Sequence, residues 1–402
     1  MKMSKWTQVL MSAGLITLPA MAHADEAAPE PNKVLTALSS TTLSGYIDTS
    51  AVWKFGTGNA NMPGRTYDGP DVQDGFNLNV VSLTLDKPLD ESAWSAGYHV
   101  QMLMGPGASK RGTGLLQMTG AKNPISFNEA YINLHVPVGN GIEVHVGQFG
   151  TYNGYEAYDT YKDPNWSRSY GFFIESSAHT GISASYAFND MVSVTAGIAN
   201  AAGYNNAVDA RQAYESKKAY LGIVTFTAPE SFGFLKGASV SAGYTVGDNQ
   251  TDVTGTASTG TTGGARWNQG NFYFGGTLPM PVTGLSLGFA YDYTHGQAFK
   301  SDYANATALY VMYDVGKWKF NNRFDYATSS PGLFDGVDSG KADKLFGYTL
   351  TVDYSLWKNV ISRAEFRWDH SLTSDKPFGG TVAGSPTDKD AASLAFNMIY
   401  QF

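Results

Sequence analysis

Residues 284–295 read GLSLGFAYDYTH, and large apolar side chains alternate in them with small or polar ones. One face of this segment carries Leu285, Leu287, Phe289, Tyr291 and Tyr293. The other carries Ser286, Gly288, Ala290, Asp292 and Thr294. A period of two predicts a β-strand. Because a water-soluble barrel would have to hold bulky aromatics inside at nearly every second position, we assign the aromatic face to lipid and the small, polar face to a water-filled interior.

The same alternation recurs along the chain in blocks of about ten residues, the length of a membrane-crossing strand. We count sixteen blocks, at 43–54, 76–87, 92–104, 125–137, 141–149, 179–188, 191–200, 217–228, 236–246, 267–278, 284–295, 305–315, 317–327, 345–356, 359–369 and 391–402. The second and the eighth block alternate imperfectly. An even number of strands lets the first and the last strand pair, so that no open edge faces lipid.

The connections between these blocks alternate in length. The short ones lie at 88–91, 137–140, 189–190, 229–235, 279–283, 316 and 357–358. The long ones lie at 55–75, 105–124, 150–178, 201–216, 247–266, 296–304, 328–344 and 370–390. Short periplasmic turns and long extracellular loops are typical of bacterial outer-membrane barrels. The sequence therefore predicts an all-β fold, a transmembrane antiparallel β-barrel of about 16 strands over residues 43–402.

The composition excludes several other classes of protein. Charged residues make up 15% of the 402 residues, against about 25% in an ordinary soluble domain. The absence of cysteine excludes a disulfide framework, a thiol nucleophile and a Cys-ligated metal site. With 27 basic and 35 acidic residues, the chain lacks the basic surface that a nucleic-acid partner requires. After residue 25 no apolar run approaches the roughly 18 residues of a membrane-spanning helix.

The first 24 residues have the pattern of a secretory signal peptide. Lys2 and Lys5 precede an apolar stretch at 9–18, and Ala22-His23-Ala24 supplies small residues for cleavage after Ala24. Residues 25–42 are rich in Ala, Pro and Ser and predict a flexible periplasmic leader. Without Lys2 and Lys5 the mature chain has 25 basic and 35 acidic residues, a net charge of −10.

Charged residues cluster on the inward face of three late strands. They are Lys319, Arg323, Asp325, Asp353, Arg363, Glu365 and Arg367. On the lipid face near mid-membrane each Arg or Lys would cost about 2–4 kcal/mol, so we expect these side chains to face water inside the barrel as a pore lining. Two roles are open. The group is either a basic wall that produces a transverse field across the pore, or a self-neutralised ladder of acids and bases that stiffens the wall.

The longest connection, 150–178, follows the fifth strand and is unusually aromatic for an exposed loop. Packing against the inside of the barrel would explain this composition. We expect it to narrow the channel, with Glu156, Asp159 and Asp163 as an acidic lining. The alternative is an extracellular cap that never enters the lumen.

No arrangement of residues predicts catalysis or a cofactor. Asp369 and His370 are adjacent, and neighbours on a strand point to opposite faces unless the strand ends between them. His99, His135 and His145 face inward on neighbouring strands and could in principle bind a metal, but His is also an ordinary polar residue of a lumen. No glycine-rich phosphate loop opens a helix. We expect no enzyme activity, no metal and no cofactor.

Three segments resemble a known family. They are 43–53 (LSGYIDTSAVW), 125–156 (ISFNEAYINLHVPVGNGIEVHVGQFGTYNGYE) and 179–190 (HTGISASYAFND). With them, the chain resembles bacterial outer-membrane porins, specifically the putative β-barrel porin family called OmpL-like, over roughly residues 40–402. The terminal Phe402 is similar to the signal that the outer-membrane assembly machinery recognises. The resemblance implies a location in outer-membrane lipid, but supplies no substrate-binding residue. Resemblance to general porins would add a homotrimer, which the pattern itself does not show.

The function that follows is an outer-membrane porin, a passive diffusion channel for small hydrophilic solutes and ions. The acidic balance favours weak cation preference. Two alternatives stay open. One is a substrate-selective channel for a sugar or an oxyanion, the latter held by Lys319, Arg323, Arg363 and Arg367. The other is a plugged structural or adhesive surface barrel.

Overall fold

The computed structural model describes residues 34–35, 40–56, 58–72, 74–109, 125–176, 178–202, 217–250, 266–296, 303–331, 334 and 342–402. The predicted signal peptide and most of the predicted leader lie outside this part of the chain. None of the helices in the described ranges is long and apolar enough to cross a membrane.

Sixteen antiparallel strands form the barrel. They are β2 (Thr42–Phe55), β3 (Gly75–Lys87), β4 (Ser95–Met104), β5 (Ile125–Val136), β6 (Ile142–Gly150), β7 (Ala178–Ala187), β8 (Val192–Ala199), β9 (Ala219–Thr227), β10 (Ser239–Gln250), β11 (Arg266–Pro279), β12 (Leu285–His295), β13 (Tyr303–Val315), β14 (Trp318–Ser329), β15 (Asp343–Trp357), β16 (Val360–Ser371) and β17 (Asp390–Gln401). A two-residue strand, β1 (Val34–Leu35), pairs with the start of β2. The predicted number of strands is confirmed, and the observed ends lie within four residues of the predicted ones.

Each barrel strand pairs with its neighbours in the chain, and β17 pairs with β2 to close the ring. At this seam the backbone N–H of Gly45 donates to the carbonyl of Phe402 at 3.0 Å, and the N–H of Phe402 donates back to Gly45 at 3.0 Å. Closure leaves no unpaired edge, as a strand in lipid requires.

The loop lengths are segregated as the sequence predicts. The two shortest turns have two residues each, 316–317 between β13 and β14 and 358–359 between β15 and β16, and Gly316 takes the positive φ of 59° that such hairpins favour. The ladder shifts register at three places in the described barrel, near Tyr354 of β15 and at bulges in β3 and β5. Asn79 is an extra residue opposite Asp48 and Thr49, which explains the imperfect alternation of the second block, because a bulge shifts the side-chain phase. Asn128 is the corresponding extra residue of β5.

The apolar face of the barrel strands is exposed and the polar face is buried, the reverse of a soluble protein. Along β14, for example, Phe320 and Phe324 are exposed while Asn321 and Arg323 are buried. The core of the protein therefore lies inside the barrel, between the wall and the loops. Its largest apolar cluster combines Met62, Tyr170, Ile174, Phe334 and Phe378 from the loops with small residues of the wall. The two short helices, α1 (Pro106–Ser109) and α2 (Tyr170–Ile174), lie in the long connections.

Candidate functional site

The connection 151–177 between β6 and β7, here called the inner segment, contacts inward-facing side chains on many sides of the barrel. It contains a 3-10 turn at Thr160–Lys162 and helix α2, whose N-terminus is capped by the Ser169 hydroxyl accepting from the N–H of Phe172 at 3.2 Å. Wall residues hydrogen-bonded to it include Tyr46, Asp48, Gln101, Ser183, Thr245, Asn271, Thr277, Tyr310, Asn321, Arg323, Thr351, Arg363, Glu365, Arg367 and Asp369. These contacts put the inner segment in the lumen.

The strongest anchor of the inner segment is a buried ion pair between Glu156 and Arg323. The guanidinium of Arg323 lies 2.9 Å from Glu156 Oε1, and neither side chain is more than 1% exposed. Arg323 also donates to Asp325 at 2.7 Å and to the carbonyl of Ser167 at 2.6 Å. The second oxygen of Glu156 accepts from the N–H of Ser169 at 2.7 Å. The pair is thus fully hydrogen-bonded, which a buried ion pair needs in order to be stable.

Strand β16 holds the backbone of the inner segment with three alternate side chains. The carboxylate of Glu365 accepts from the N–H groups of Trp166 at 2.6 Å and Ser167 at 3.0 Å. Arg363 donates to the carbonyls of Thr160 and Asp163 at 2.6 and 2.7 Å. Arg367 donates to the carbonyl of Arg168 at 2.6 Å. Because these side chains are two residues apart on one strand, they share a face, and together they form hydrogen bonds with the backbone of the segment between residues 160 and 168.

Asp159 and Asp163 of the inner segment are also engaged by protein groups. Asp159 accepts from Tyr46 at 2.8 Å and from Gln101 at 2.9 Å, and its second oxygen lies 2.9 Å from Lys162 Nζ. Burial acts to raise the pKa of Asp159, but Lys162 and the hydrogen bonds outweigh it and hold the pKa below its ordinary value. Asp163 accepts from the N–H of Ala157 at 2.8 Å and lies 3.3 Å from Arg168.

The expectation that these charged side chains face water needs correction. Arg323, Asp325, Glu365, Arg367, Arg363 and Asp353 point into the lumen, but all are buried. Glu156, Asp159 and Asp163 are buried as well, so they do not form an exposed acidic lining. The physical reason is that acids and bases from the wall and from the inner segment neutralise one another, and each pair excludes water. Lys319 is the exception: it is 26% exposed and pairs with Asp314 at 3.3 Å.

A second extracellular connection, 56–74, enters the barrel above the inner segment, which the sequence did not reveal. Arg65 is 1% exposed and donates to Asp369 Oδ2 at 2.8 Å. The Tyr67 ring lies 5.4 Å from the guanidinium of Arg168, a cation–π contact. Asn61 joins this connection to Gly379 of the last loop through a hydrogen bond of 2.8 Å. The connection 56–74 therefore fills the part of the lumen next to β14–β17 from its extracellular end.

Two tyrosines join the inner segment to further strands, β7 across the barrel from β14–β16 and β11 between them. Tyr152 bonds to the hydroxyl of Ser183 at 2.6 Å, and Tyr155 bonds to that of Thr277 at 2.9 Å. Both tyrosines are half-buried. Tyr155 also stacks on Tyr310 with ring centroids 4.4 Å apart.

Strands β3–β6 carry charged inward-facing residues that remain open to water. His99 lies between two carboxylates, with Nδ1 3.2 Å from Asp86 and Nε2 3.6 Å from Glu129. The side chains of Asp86 and Glu129 are 44% and 27% exposed. Glu143 follows on β6, in register with His135 and half-buried. The sequence argument overlooked these acids because none of them belongs to a run of charged residues on one face of its strand.

The histidines and the Asp369–His370 pair form no recognisable centre. His99, Tyr131 and His145 stack in a row, with ring centroids 5.2 and 4.3 Å apart. Within the described ranges, no group of three or more His, Cys, Asp or Glu residues is arranged to hold a metal ion. Strand β16 continues to Ser371, so Asp369 points inward and His370 points outward, where it bonds to Asp390 at 2.7 Å.

Several solved structures share this architecture. A loop L8 deletion mutant of OmpT, an outer-membrane protein of Vibrio cholerae, is 13% identical with a TM-score of 0.57, covering 90% of this chain and 99% of that one. Salmonella typhi OmpF, solved in complex with daunomycin, is 13% identical with a TM-score of 0.56, covering 90% and 97%. The anion-selective porin from Comamonas acidovorans is 14% identical with a TM-score of 0.55, covering 90% and 99%. At these identities the likeness concerns the fold.

No curated protein matches the chain. A family does: the one described as "Putative beta-barrel porin-2, OmpL-like" matches residues 40–402. This match spans the whole barrel, from the start of the first barrel strand to the terminal Phe402. The chain therefore belongs to the OmpL-like β-barrel porin-2 family and is an outer-membrane porin.

Proposed function

We propose that the protein is a passive diffusion channel for small hydrophilic solutes and ions, narrowed by the inner segment. The observation that supports this function is the dense set of hydrogen bonds between that segment and the wall. Glu156–Arg323 and Glu365–Trp166 fix it to β14 and β16, Tyr155–Thr277 fixes it to β11, and Tyr152–Ser183 fixes it to β7 on the opposite side. A segment that is fixed to the wall on both sides makes a constant constriction of the pore. The width of that constriction then sets the size of the solutes that pass.

The oxyanion alternative finds less support in the geometry. An oxyanion carrier needs guanidinium groups that are free to bind the solute. Arg323, Arg363 and Arg367 instead donate to carboxylates and carbonyls of the protein and are no more than 5% exposed. The plugged barrel is the competing function, because both the inner segment and the connection 56–74 occupy the lumen.

The test is single-channel recording of the purified protein in a planar lipid bilayer. The intact protein should give steady conductance steps, and deletion of residues 155–168 should enlarge them, because the deletion removes the part of the segment that crosses the lumen. Equal conductance of both forms would contradict the constriction. Absence of steps in the intact protein, with large steps in the deletion variant, would establish a plugged barrel instead.

A matched control is Glu230→Gln in the connection between β9 and β10. Its partner Lys236 and Glu230 itself are 60% and 82% exposed, far from the inner segment in the fold. This variant should leave the conductance unchanged. We also propose that the outer-membrane assembly machinery recognises Phe402 and that the protein forms a homotrimer through its lipid face. Cross-linking of the protein in native membranes would test both proposals.

A further inference from the structure

We infer that the channel prefers cations and that three carboxylates determine this preference: Asp86 on β3, Glu129 on β5 and Glu143 on β6. The inference rests on the proposed diffusion function and adds the charge of the solute. It starts from a comparison of which charged groups in the lumen reach water.

The basic side chains of the lumen are withdrawn from the solute. Arg65, Arg168, Arg323, Arg363 and Arg367 are each at most 3% exposed at the side chain. Every one of them forms an ion pair with a carboxylate. A buried, paired charge produces little field in the aqueous path, since its partner cancels it at short range. These arginines therefore cannot attract anions.

The two lysines that keep some contact with water are neutralised in the same way. Lys162 is 26% exposed and lies 2.9 Å from Asp159. Lys319 is 26% exposed and lies 3.3 Å from Asp314 on β13. Each lysine is thus matched by one acid, and the wall formed by β13 and β14 carries no net charge from this pair.

The carboxylates of β3–β6 are not matched. Among the described residues, no Lys or Arg forms an ion pair with Asp86, Glu129 or Glu143. The nearest cationic groups in the described part of the chain are His99, which lies between Asp86 and Glu129 and is charged only when protonated, and Lys162, which also interacts with Glu129 but is paired with Asp159. Asp86 and Glu129 are 44% and 27% exposed, so water and ions reach them. The result is an excess of negative charge on one water-facing side of the lumen.

Such an excess acts across a narrow bore. At 0.1 M salt the Debye length is about 10 Å, so carboxylates on the wall attract cations and repel anions over a comparable distance. The preferred solutes are then inorganic cations and small organic cations such as ammonium compounds. No bound ion is needed, because the field alone raises the local concentration of cations.

The test is the reversal potential of the purified full-length protein in a planar bilayer, under a gradient of KCl near 0.1 M. The intact channel should pass K⁺ in preference to Cl⁻. The triple variant D86N/E129Q/E143Q should lower the ratio of K⁺ to Cl⁻ permeability by about twofold or more at this salt concentration. A matched control is Glu230→Gln, which removes an exposed acid from the connection between β9 and β10 and should leave the ratio unchanged.

The outcomes separate the two proposals. Steady conductance with anion preference, or a ratio that the triple variant does not change, would overturn the cation inference and leave the diffusion channel standing. An equal drop in Glu230→Gln would also overturn it, because the effect would then not depend on the carboxylates of β3–β6. Failure of the intact protein to conduct would remove the diffusion function itself. Heat-dependent gel migration of each variant checks that the barrel has folded.

Discussion

The charged residues of β14–β16 and those of β3–β6 line the same lumen, yet loops cover the first group and leave the second in contact with water. Arg323 is 0% exposed beneath the inner segment, whereas Asp86 is 44% exposed across the barrel. The first group is larger and attracted the functional interpretation at the sequence level. The comparison teaches that a side chain facing the lumen is not thereby facing the solute, because a loop from elsewhere in the chain decides which charges reach water.

The largest expected difference between the two groups concerns stability. Replacing Arg323→Met should lower the free energy of unfolding by about 3–5 kcal/mol, because Glu156 and Asp325 would stay buried without their counter-ion. Replacing Lys319→Met removes a half-exposed ion pair and should cost only about 0–1 kcal/mol. Denaturant unfolding of the two variants in the same detergent measures the difference. Equal losses would show that water reaches Arg323 as freely as Lys319.

A medium effect is expected at the backbone anchor of the inner segment. Replacing Glu365→Gln removes the negative charge that accepts from Trp166 and Ser167, a contribution of about 1.5–3 kcal/mol for charged hydrogen bonds. We expect faster amide hydrogen exchange in residues 165–168 and noisier single-channel current. Glu143→Gln is the control on the other wall and should leave exchange in the segment unaltered. Unchanged exchange in both variants would mean that Glu365 does not hold the segment.

The smallest effect is expected on the side of the inner segment that meets strand β11. Replacing Tyr155→Phe removes the hydroxyl that bonds to Thr277 and keeps the ring stacked on Tyr310. The loss should be about 0.5–1.5 kcal/mol, the usual range for a neutral hydrogen bond, with conductance close to that of the intact protein. A loss as large as that of Arg323→Met would show that both sides anchor the segment equally.

The sequence predicts the barrel well because each strand carries its own signal. Alternation within β12 or β14 depends only on neighbouring residues, and the turn at Gly316 is likewise local. It predicts which side of β16 faces inward for the same reason. It does not predict that Glu365 binds Trp166, since these residues are 199 positions apart. Nor does it predict the entry of Arg65 into the lumen, because a single arginine in a polar loop has no distinctive pattern.

The sequence predicted the charge balance of the lumen only in part. The interleaved acids and bases at Arg363, Glu365 and Arg367 indicated either a polarising wall or a self-neutralised ladder. The structure has Arg363 paired with Asp353, Arg367 with Asp369 and Arg323 with Asp325. The ladder is therefore neutralised within the wall, and the inner segment contributes Glu156 as an additional partner. Sequence alone could not choose, because the choice depends on side-chain geometry across strands.

The closure of the ring by β17 and β2 has a consequence for the order of assembly. The seam joins Tyr46 to Gln401, and the inner segment is anchored by β14–β16, whose residues follow it by more than 150 positions. Contacts between such distant residues form late, because a long chain must first be brought together. Until the C-terminal strands arrive, the segment therefore has only its anchors on earlier strands, such as Ser183, and the unfinished barrel is an open sheet. The lumen is filled and the edge sealed by the same last strands.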